Sequence, residues 1–329
     1  MREIMLSRRP GCNCRRALSI HSFLLAVCSS LFVSGCVQEK KETPTTGHLF
    51  VLVPQSPSPV LVGEIDEFLR LYGEHGAHIS YRVTSSEMAI DDFVKDSMKL
   101  IFSTRRLSES ERRSVEKKWG SPVEIVVAYD AVALVVSKRN PVAEISTREL
   151  EGVITGKIEG WDQLARRNGA RGKINLVVQD SSDELAFLHG ASPKEIFKPA
   201  RLTLPPTPTE CLALVARDPL ALGVVGLGWL DSARSKIKTL KVGQLAVEDS
   251  AFGAVPVQAI GSYFTPHPAY IYQKFYPLRR AIYLYNRSEG FDLAAGFTTF
   301  VATREGQQIF LQRGFVPGTQ PIRLRPSAP

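Results

Sequence analysis

The stretch HLFVLVPQSPSPVLVGEIDEFLRLYGEHGAHISYRV, residues 48–83, determines the fold class of this chain. It opens with an apolar, partly β-branched run, His48–Pro54, which is typical of a buried strand. From Val60 to Tyr72 apolar residues recur at helical spacing, and His78–Val83 alternates like a half-buried strand. The residues expected on the buried face of that second strand are Ile79, Tyr81 and Val83. The order strand, helix, strand predicts a βαβ unit.

The same alternation continues along the chain. Further helices are predicted at Ser86–Ser97, Leu185–His189 and Glu210–Arg217. Further strands are predicted at Met98–Ser103, Val123–Tyr129, Ala131–Ser137, Ile174–Val178, Gly223–Val225 and Ala281–Tyr285. Two capping boxes, Ser108 with Glu111 and Ser146 with Glu149, mark helix starts. The pattern predicts an α/β protein with largely parallel sheets.

The charge of the chain does not indicate nucleic-acid binding. The formal net charge is +8 over 329 residues, but half of it lies in the first 35 residues, where five arginines stand against one glutamate. No zinc-finger spacing, RNA-binding signature or long basic run follows. We therefore expect no nucleic-acid partner.

The amino terminus is typical of an export signal. Ala17–Val33 is apolar, about as long as a signal-peptide core and short for a membrane span. It ends in Val33-Ser34-Gly35-Cys36, which resembles the bacterial lipobox, in which the cysteine is lipidated. We expect a signal peptide at 1–35 and a lipidated tether at 36–47; the alternative is an uncleaved anchor with an incidental cysteine. The expected location is the periplasm or cell surface, and Val37 weakly favours an outer membrane.

Cysteine and histidine usage gives no support for an enzyme. Cys12, Cys14 and Cys28 lie in the predicted signal, so Cys211 alone remains in the body and no internal disulfide can form. The six histidines show no metal-ligand spacing, and no nucleophile elbow occurs. We expect neither catalysis nor a cofactor nor a metal.

Hydroxyl residues follow several predicted strands where a helix begins. These junctions are Val53–Pro59, Thr84–Ser86, Ser103-Thr104 and Asp180–Ser182. Free N–H groups at helix starts attract anions, and hydroxyls can donate to an anion without adding charge. The alternative is that these residues only cap helices, as they do in many proteins.

Several motifs resemble one known family. They are AYDAVALVV at 128–136 followed by Asn140-Pro141, TGKI with Trp161 at 155–161, PLALGVVGLG at 219–228, YPLRRAIYLY at 276–285, and REGQQ and GFVP at 304–317. They resemble the phosphate-binding protein of ABC-type phosphate importers over nearly all of the chain after the tether. The resemblance implies a type II periplasmic-binding-protein fold, with mixed, mainly parallel sheets flanked by helices. Lobe 1 would comprise residues 48–132 and 287–329, lobe 2 residues 133–286, with a ligand cleft between them.

The resemblance also implies which residues contact the ligand. Carried over position by position, they are Ser58, Ser86, Ser103, Thr104, Ser181 and Ser182. The fourth loop departs from the family pattern, since Gln179 stands near its expected arginine and Asp183 and Glu184 replace a threonine and the residue after it. Arg105 is the candidate replacement cation, unless it forms a solvated surface patch with Arg106. Asp130 is expected to stabilise the crossing strands rather than to touch ligand.

Two functions follow from this resemblance. The first is a lipid-anchored, monomeric solute receptor that delivers phosphate or a related oxyanion to an ABC permease. The second is a degenerate member that has lost phosphate and acts as an envelope sensor, adaptor or structural lipoprotein. The acidic fourth loop motivates the second, because a carboxylate about 4 Å from a bound anion costs on the order of 4 kcal/mol at an effective dielectric of about 20.

Overall fold

A computed structural model describes residues 42–95, 98–166, 168–191, 197–233, 235–288 and 290–321. The predicted signal and Cys36 lie outside this part of the chain. The helices are α1 Ser58–Tyr72, α2 Ser86–Lys95, α3 Glu109–Trp119, α4 Thr147–Thr155, α5 Asp183–Ala191, α6 Pro208–Arg217, α7 Pro268–Tyr272, α8 Leu293–Ala302 and α9 Arg304–Gln312. None of the helices in the described ranges is long and apolar enough to span a bilayer.

The strands of the described residues form one ten-stranded sheet and one two-stranded sheet. They are β1 Gly47–Pro54, β2 Ala77–Thr84, β3 Leu100–Ser103, β4 Val123–Ser137, β5 Glu144–Ser146, β6 Asn175–Val178, β7 Leu202–Thr203, β8 Ala221–Gly226, β9 Ile237–Thr239, β10 Lys241–Gly243, β11 Arg279–Asn286 and β12 Val316–Pro317. The main order is β2-β1-β3-β11-β4-β8-β6-β7, with β9 and β12 also paired to β4; β5 pairs with β10.

The long strand β4 joins the two halves of the fold. Its first part pairs with β11 and β12, and its last part pairs with β8 and β9, all antiparallel. The outer pairs β1–β2, β1–β3, β6–β7 and β6–β8 are parallel. The sheet is therefore mixed, with its antiparallel ladders at the centre, where the chain crosses from one half to the other.

A separate core lies on each side of this crossing. In the first half, apolar residues of β1, β3 and α1 pack against α8 and α9, with Phe68, Phe297 and Phe310 fully buried. In the second half, Trp161 and Tyr276 are among the large side chains buried with residues of β4, β6 and β8. Each core thus buries several large aromatic side chains among a larger number of aliphatic residues.

Most predicted elements are confirmed, with two corrections. Both capping boxes form, at Ser108 and Ser146. The two strands predicted on either side of Asp130 are one continuous strand of 15 residues. In β2, Tyr81 and Val83 are 42% and 41% exposed rather than buried, because this strand is the sheet edge and only its first residues, Ala77 and Ile79, lie in the core.

Candidate functional site

A cavity of about 730 Å³ lies where the starts of α2 and α5 meet the end of β3. Its polar wall comprises Ser85, Ser86, Glu87, Thr104, Arg105, Ser181, Ser182, Asp183, His189 and Arg280. Its apolar wall includes Met88, Leu185, Phe187, Ala251 and Phe252. A concave site of this size, with an apolar lining and a few convergent polar groups, is typical of small-molecule binding sites.

The start of α2 is bound to a carboxylate from the other half of the fold. The Ser86 N–H donates to Asp183 Oδ1 at 2.8 Å, and this contact is buried. The Ser86 and Thr104 hydroxyl oxygens lie 3.0 Å apart, and the Thr104 N–H donates to Ser86 Oγ at 2.8 Å. Asp183 therefore occupies the position at which a helix start attracts an anion.

Arg280 supplies the buried cation of the site. The register between β11 and β4 fixes its position, because it places Arg280 opposite Asp130. Its Nε and Nη2 donate to Asp130 Oδ2 at 3.0 and 2.8 Å, and Nη2 also donates to Glu184 Oε1 at 2.8 Å and to the Ser56 hydroxyl. Gly226 makes room for this cluster, since a Cβ there would clash with Ser56 Oγ.

Several buried polar atoms of this cluster have no hydrogen-bond partner among the described residues. They are Asp130 Oδ1, Gln179 Oε1, Asp183 Oδ2 and Arg280 Nη1. Burial raises the pKa of Asp183 to about 6, with the Arg280 charge opposing the shift and the Glu184 charge adding to it. Burial disfavours the charged form of Arg280, but the surrounding carboxylates outweigh it and raise its pKa.

Arg105 does not point into the cleft as a free cation. Its Nε donates to Glu87 at 2.7 Å, and its Nη1 and Nη2 hold both oxygens of Glu111 at 2.9 and 2.8 Å. Arg106 pairs with Glu124 at 2.7 Å, so the two arginines do not form an unpaired solvated patch either. Arg105 lies at the cavity rim with its charge already balanced by two carboxylates.

The structure brings five of the seven predicted ligand residues to the cavity: Ser86, Thr104, Arg105, Ser181 and Ser182. The Ser182 hydroxyl accepts from the Leu185 N–H at 3.1 Å and so caps α5. Ser58 and Ser103 are not part of the cavity wall. The Ser58 hydroxyl donates to the Gln55 carbonyl at 2.8 Å, and that of Ser103 donates to the Arg105 carbonyl at 2.7 Å.

Sequence reasoning missed Arg280 and the contacts that Gln55 makes across the halves. The Gln179 side chain donates to Gln55 Oε1 at 2.6 Å, and the Trp229 indole donates to the Gln55 carbonyl at 3.3 Å. Arg280 had a readable signal: it directly precedes the predicted strand Ala281–Tyr285 and is in phase with the apolar residues Ile282 and Leu284. The Gln55 contacts join residues more than 120 positions apart, and no local sequence pattern indicated them.

The charges around the cavity are mainly negative. Two guanidinium groups, Arg105 and Arg280, face the carboxylates of Glu87, Glu111, Asp130, Asp183 and Glu184. Each arginine is already paired with at least two of them. No group of three or more possible metal ligands occurs within the described ranges.

Comparisons with known proteins agree with the geometry of the fold. A family model described as a PBP superfamily domain matches residues 38–305. The phosphate-binding protein PstS of Pseudomonas aeruginosa is 22% identical over 295 residues, covering 84% of this chain and 85% of that protein. PstS of Borreliella burgdorferi is 21% identical over 269 residues, with coverages of 79% and 86%.

Solved structures show the same likeness. A Clostridium perfringens protein crystallised with bound phosphate superposes with a TM-score of 0.65 at 18% identity, covering 82% of this chain and 99% of that chain. An ABC-type phosphate transport receptor from Vibrio cholerae superposes with a TM-score of 0.61 at 18% identity and the same coverages. These likenesses confirm the α/β fold and the resemblance indicated by the motifs, and the low identities agree with a divergent member.

Proposed function

Because this chain belongs to the PBP superfamily, we propose that it is an extracytoplasmic solute-binding protein of an ABC importer of the phosphate type. It is anchored in a membrane by lipid on Cys36 and delivers its solute to a permease. The solute is phosphate or a related small oxyanion, bound in the cavity between the two halves. The chain acts as a monomer and performs no catalysis.

The observation that supports this proposal is the convergence of donors on one cavity. The hydroxyls of Ser86, Thr104 and Ser182 line it, together with the Arg280 side chain, whose Nη1 has no partner among the described residues. The start of α2 adds backbone N–H groups and the positive end of a helix dipole. Relatives with this fold are named for phosphate binding.

A specific observation favours the second candidate, a member that binds no phosphate and serves as an envelope sensor, adaptor or structural lipoprotein. The α2 start already holds the Asp183 carboxylate, at 2.8 Å from the Ser86 nitrogen. An incoming phosphate must displace this group or lie next to it. Two charges of the same sign about 4 Å apart repel by about 4 kcal/mol at an effective dielectric of about 20, which outweighs several neutral hydrogen bonds of about 1 kcal/mol each.

Isothermal titration with phosphate distinguishes the two candidates. The protein used is residues 37–329, which keeps the whole compact unit Glu42–Pro329. We expect a saturable heat signal, and we expect Thr104→Val to weaken binding about fivefold, the equivalent of one lost hydrogen bond. The matched control is Thr299→Val on α8, where the hydroxyl is exposed and donates to the Ala295 carbonyl at 2.9 Å.

The outcome of the titration is decisive because a competent phosphate receptor is run beside it. If this chain gives no heat at millimolar phosphate while the receptor does, phosphate capture is rejected and the second candidate stands. Equal affinities of the Thr104 and Thr299 variants would show that phosphate binds elsewhere.

The lipid anchor is tested separately. Cys36→Ser removes the thiol that would carry lipid, so the full chain should no longer incorporate a labelled fatty acid. Cys28→Ser, within the predicted signal, should keep the label. A wild-type chain that stays in the membrane pellet without taking up label would indicate an uncleaved anchor.

A further inference from the structure

Asp183 belongs to one half of the fold but is bound to the other. It is the first residue of α5, while its Oδ1 accepts the Ser86 N–H at the start of α2, 97 residues away in sequence. Only 6% of Asp183 is exposed. Because the carboxylate lies on the cavity wall, it takes the place of a solute anion at the helix start.

A capping role alone does not account for this contact. Ser85 already caps α2 locally, since its hydroxyl accepts the Met88 N–H at 3.3 Å. The second oxygen of Asp183, Oδ2, is buried without a partner among the described residues, and so is Arg280 Nη1 on the same cavity. An unpaired acceptor and an unpaired donor on one cavity wall cost free energy unless something else satisfies them.

We propose that Asp183 is a built-in competitor of the solute, and that an anion enters the α2 start only when this side chain is protonated or displaced. Asp183 is thus the residue that determines the affinity and the pH range of solute capture. This inference rests on the proposed function, since it concerns the same cavity.

The charges around Asp183 set the direction of the pH effect. Glu184 on the same helix raises its pKa and Arg280 on β11 lowers it, while burial is the largest influence and brings the pKa to about 6. Asp130 on β4 forms an ion pair with Arg280. The Glu87–Arg105 ion pair and His189 lie farther out, on the cavity rim. The neutral form of Asp183 dominates below pH 6 and the competing anion above it.

The size of the effect follows from the neutral fraction of Asp183. If only the neutral form admits the anion, the apparent Kd rises about tenfold per pH unit above 6 and is about 100-fold weaker at pH 8 than at pH 5. Asp183→Asn keeps the shape of the side chain and removes the charge. The ratio of the wild-type and variant Kd values cancels the ionisation of phosphate itself.

The experiment is titration of inorganic phosphate into residues 37–329 at pH 5, 6, 7 and 8. We expect the ratio of wild-type to Asp183→Asn Kd to be close to 1 at pH 5 and to rise about 100-fold by pH 8. Asp180→Asn is the matched control, because Asp180 is exposed in the same loop and does not line the cavity. The ratio of wild-type to Asp180→Asn Kd should stay constant from pH 5 to pH 8.

The titrations test the competitor role of Asp183 and phosphate capture by different outcomes. A constant ratio between wild type and Asp183→Asn, with phosphate bound by both, overturns the competitor role and leaves phosphate capture intact. If neither protein binds phosphate at any pH while circular dichroism shows both folded, phosphate capture fails and the competitor role fails with it. Should the asparagine variant not fold, Asp183→Ser and the pH profile of the wild type give the same test.

Discussion

Glu64 should make the stability of this protein fall as the pH rises. It lies on the buried face of α1, and neither of its carboxyl oxygens has a hydrogen-bond partner among the described residues. A Cβ on Gly306 would lie 2.8 Å from Glu64 Oε2, so the carboxyl is tightly enclosed. Burial, with a smaller contribution from the Glu67 charge, raises its pKa from 4.5 to about 9.

The sign and size of the effect follow from proton linkage. Between pH 4.5 and 9 the folded chain keeps a proton on Glu64 that the unfolded chain has released. The contribution to stability is therefore complete below pH 4.5 and decreases as the pH rises through 9. The free energy of unfolding loses about 1.4 kcal/mol per pH unit, or about 4 kcal/mol from pH 5 to pH 8.

Urea unfolding of wild type and Glu64→Gln at pH 5, 6, 7 and 8 measures this effect. The glutamine has nearly the same shape and does not titrate, so the two stability curves should diverge by about 4 kcal/mol over that range. Other acids, Asp183 among them, are common to both proteins and cancel in the difference. Parallel curves would refute the argument and show that the Glu64 carboxyl is ionised in the folded state.

The control for this experiment is Glu67→Gln, one turn along the same helix. Glu67 is partly exposed and its hydrogen bond to Arg70 lowers its pKa, so it is ionised in both states from pH 5 to 8. Its removal should shift the stability curve by no more than about 1 kcal/mol and leave its slope unchanged.

Three further predictions concern the site and its supports. Arg280→Met leaves two buried carboxylates without a cation and should lower the free energy of unfolding by about 3–5 kcal/mol, read from the urea midpoint; a smaller loss would mean that water reaches the cluster. Gly226→Ala should lower the free energy of unfolding by about 1–3 kcal/mol, and Ser56→Gly should restore part of this loss by removing the clashing hydroxyl. As a control, Gly190→Ala should raise the free energy of unfolding by about 0.5–1 kcal/mol, because a Cβ there has no atom within 4 Å and alanine favours helix α5. Burial raises the pKa of Cys211 to about 12, so a thiol reagent at pH 8 should label it only after unfolding, and rapid labelling of the folded chain would contradict its burial.

The local features of the fold were predictable because they depend on residues close together in sequence. A capping box needs only a serine and a glutamate three positions apart, and both boxes form as expected. The continuity of β4 was not predictable from its own residues, since Asp130 interrupts the apolar pattern. The strand continues through it because Arg280 on the neighbouring strand lies in register and compensates its charge.

The candidate site was only partly predictable for the same reason. The helix starts that line the cavity carry recognisable serines, so Ser86 and Ser182 could be named from the sequence. What binds to those serines depends on the packing of the two halves. The contact between Ser86 and Asp183 spans 97 positions, and no local pattern indicates it.

Asp183 and Glu184 make the start of α5 a poor place for a solute anion. Acidic residues in the first turn already stabilise the helix dipole, and they do so without the entropy cost of capturing a free ion. Their side chains then diverge: Asp183 contacts α2 in the first half, and Glu184 contacts Arg280 on β11. Both contacts join elements from different parts of the fold. A solute anion at the start of α2 would compete with Asp183 for the Ser86 N–H, so a variant that frees this N–H should bind anions more tightly and hold its two halves together less firmly.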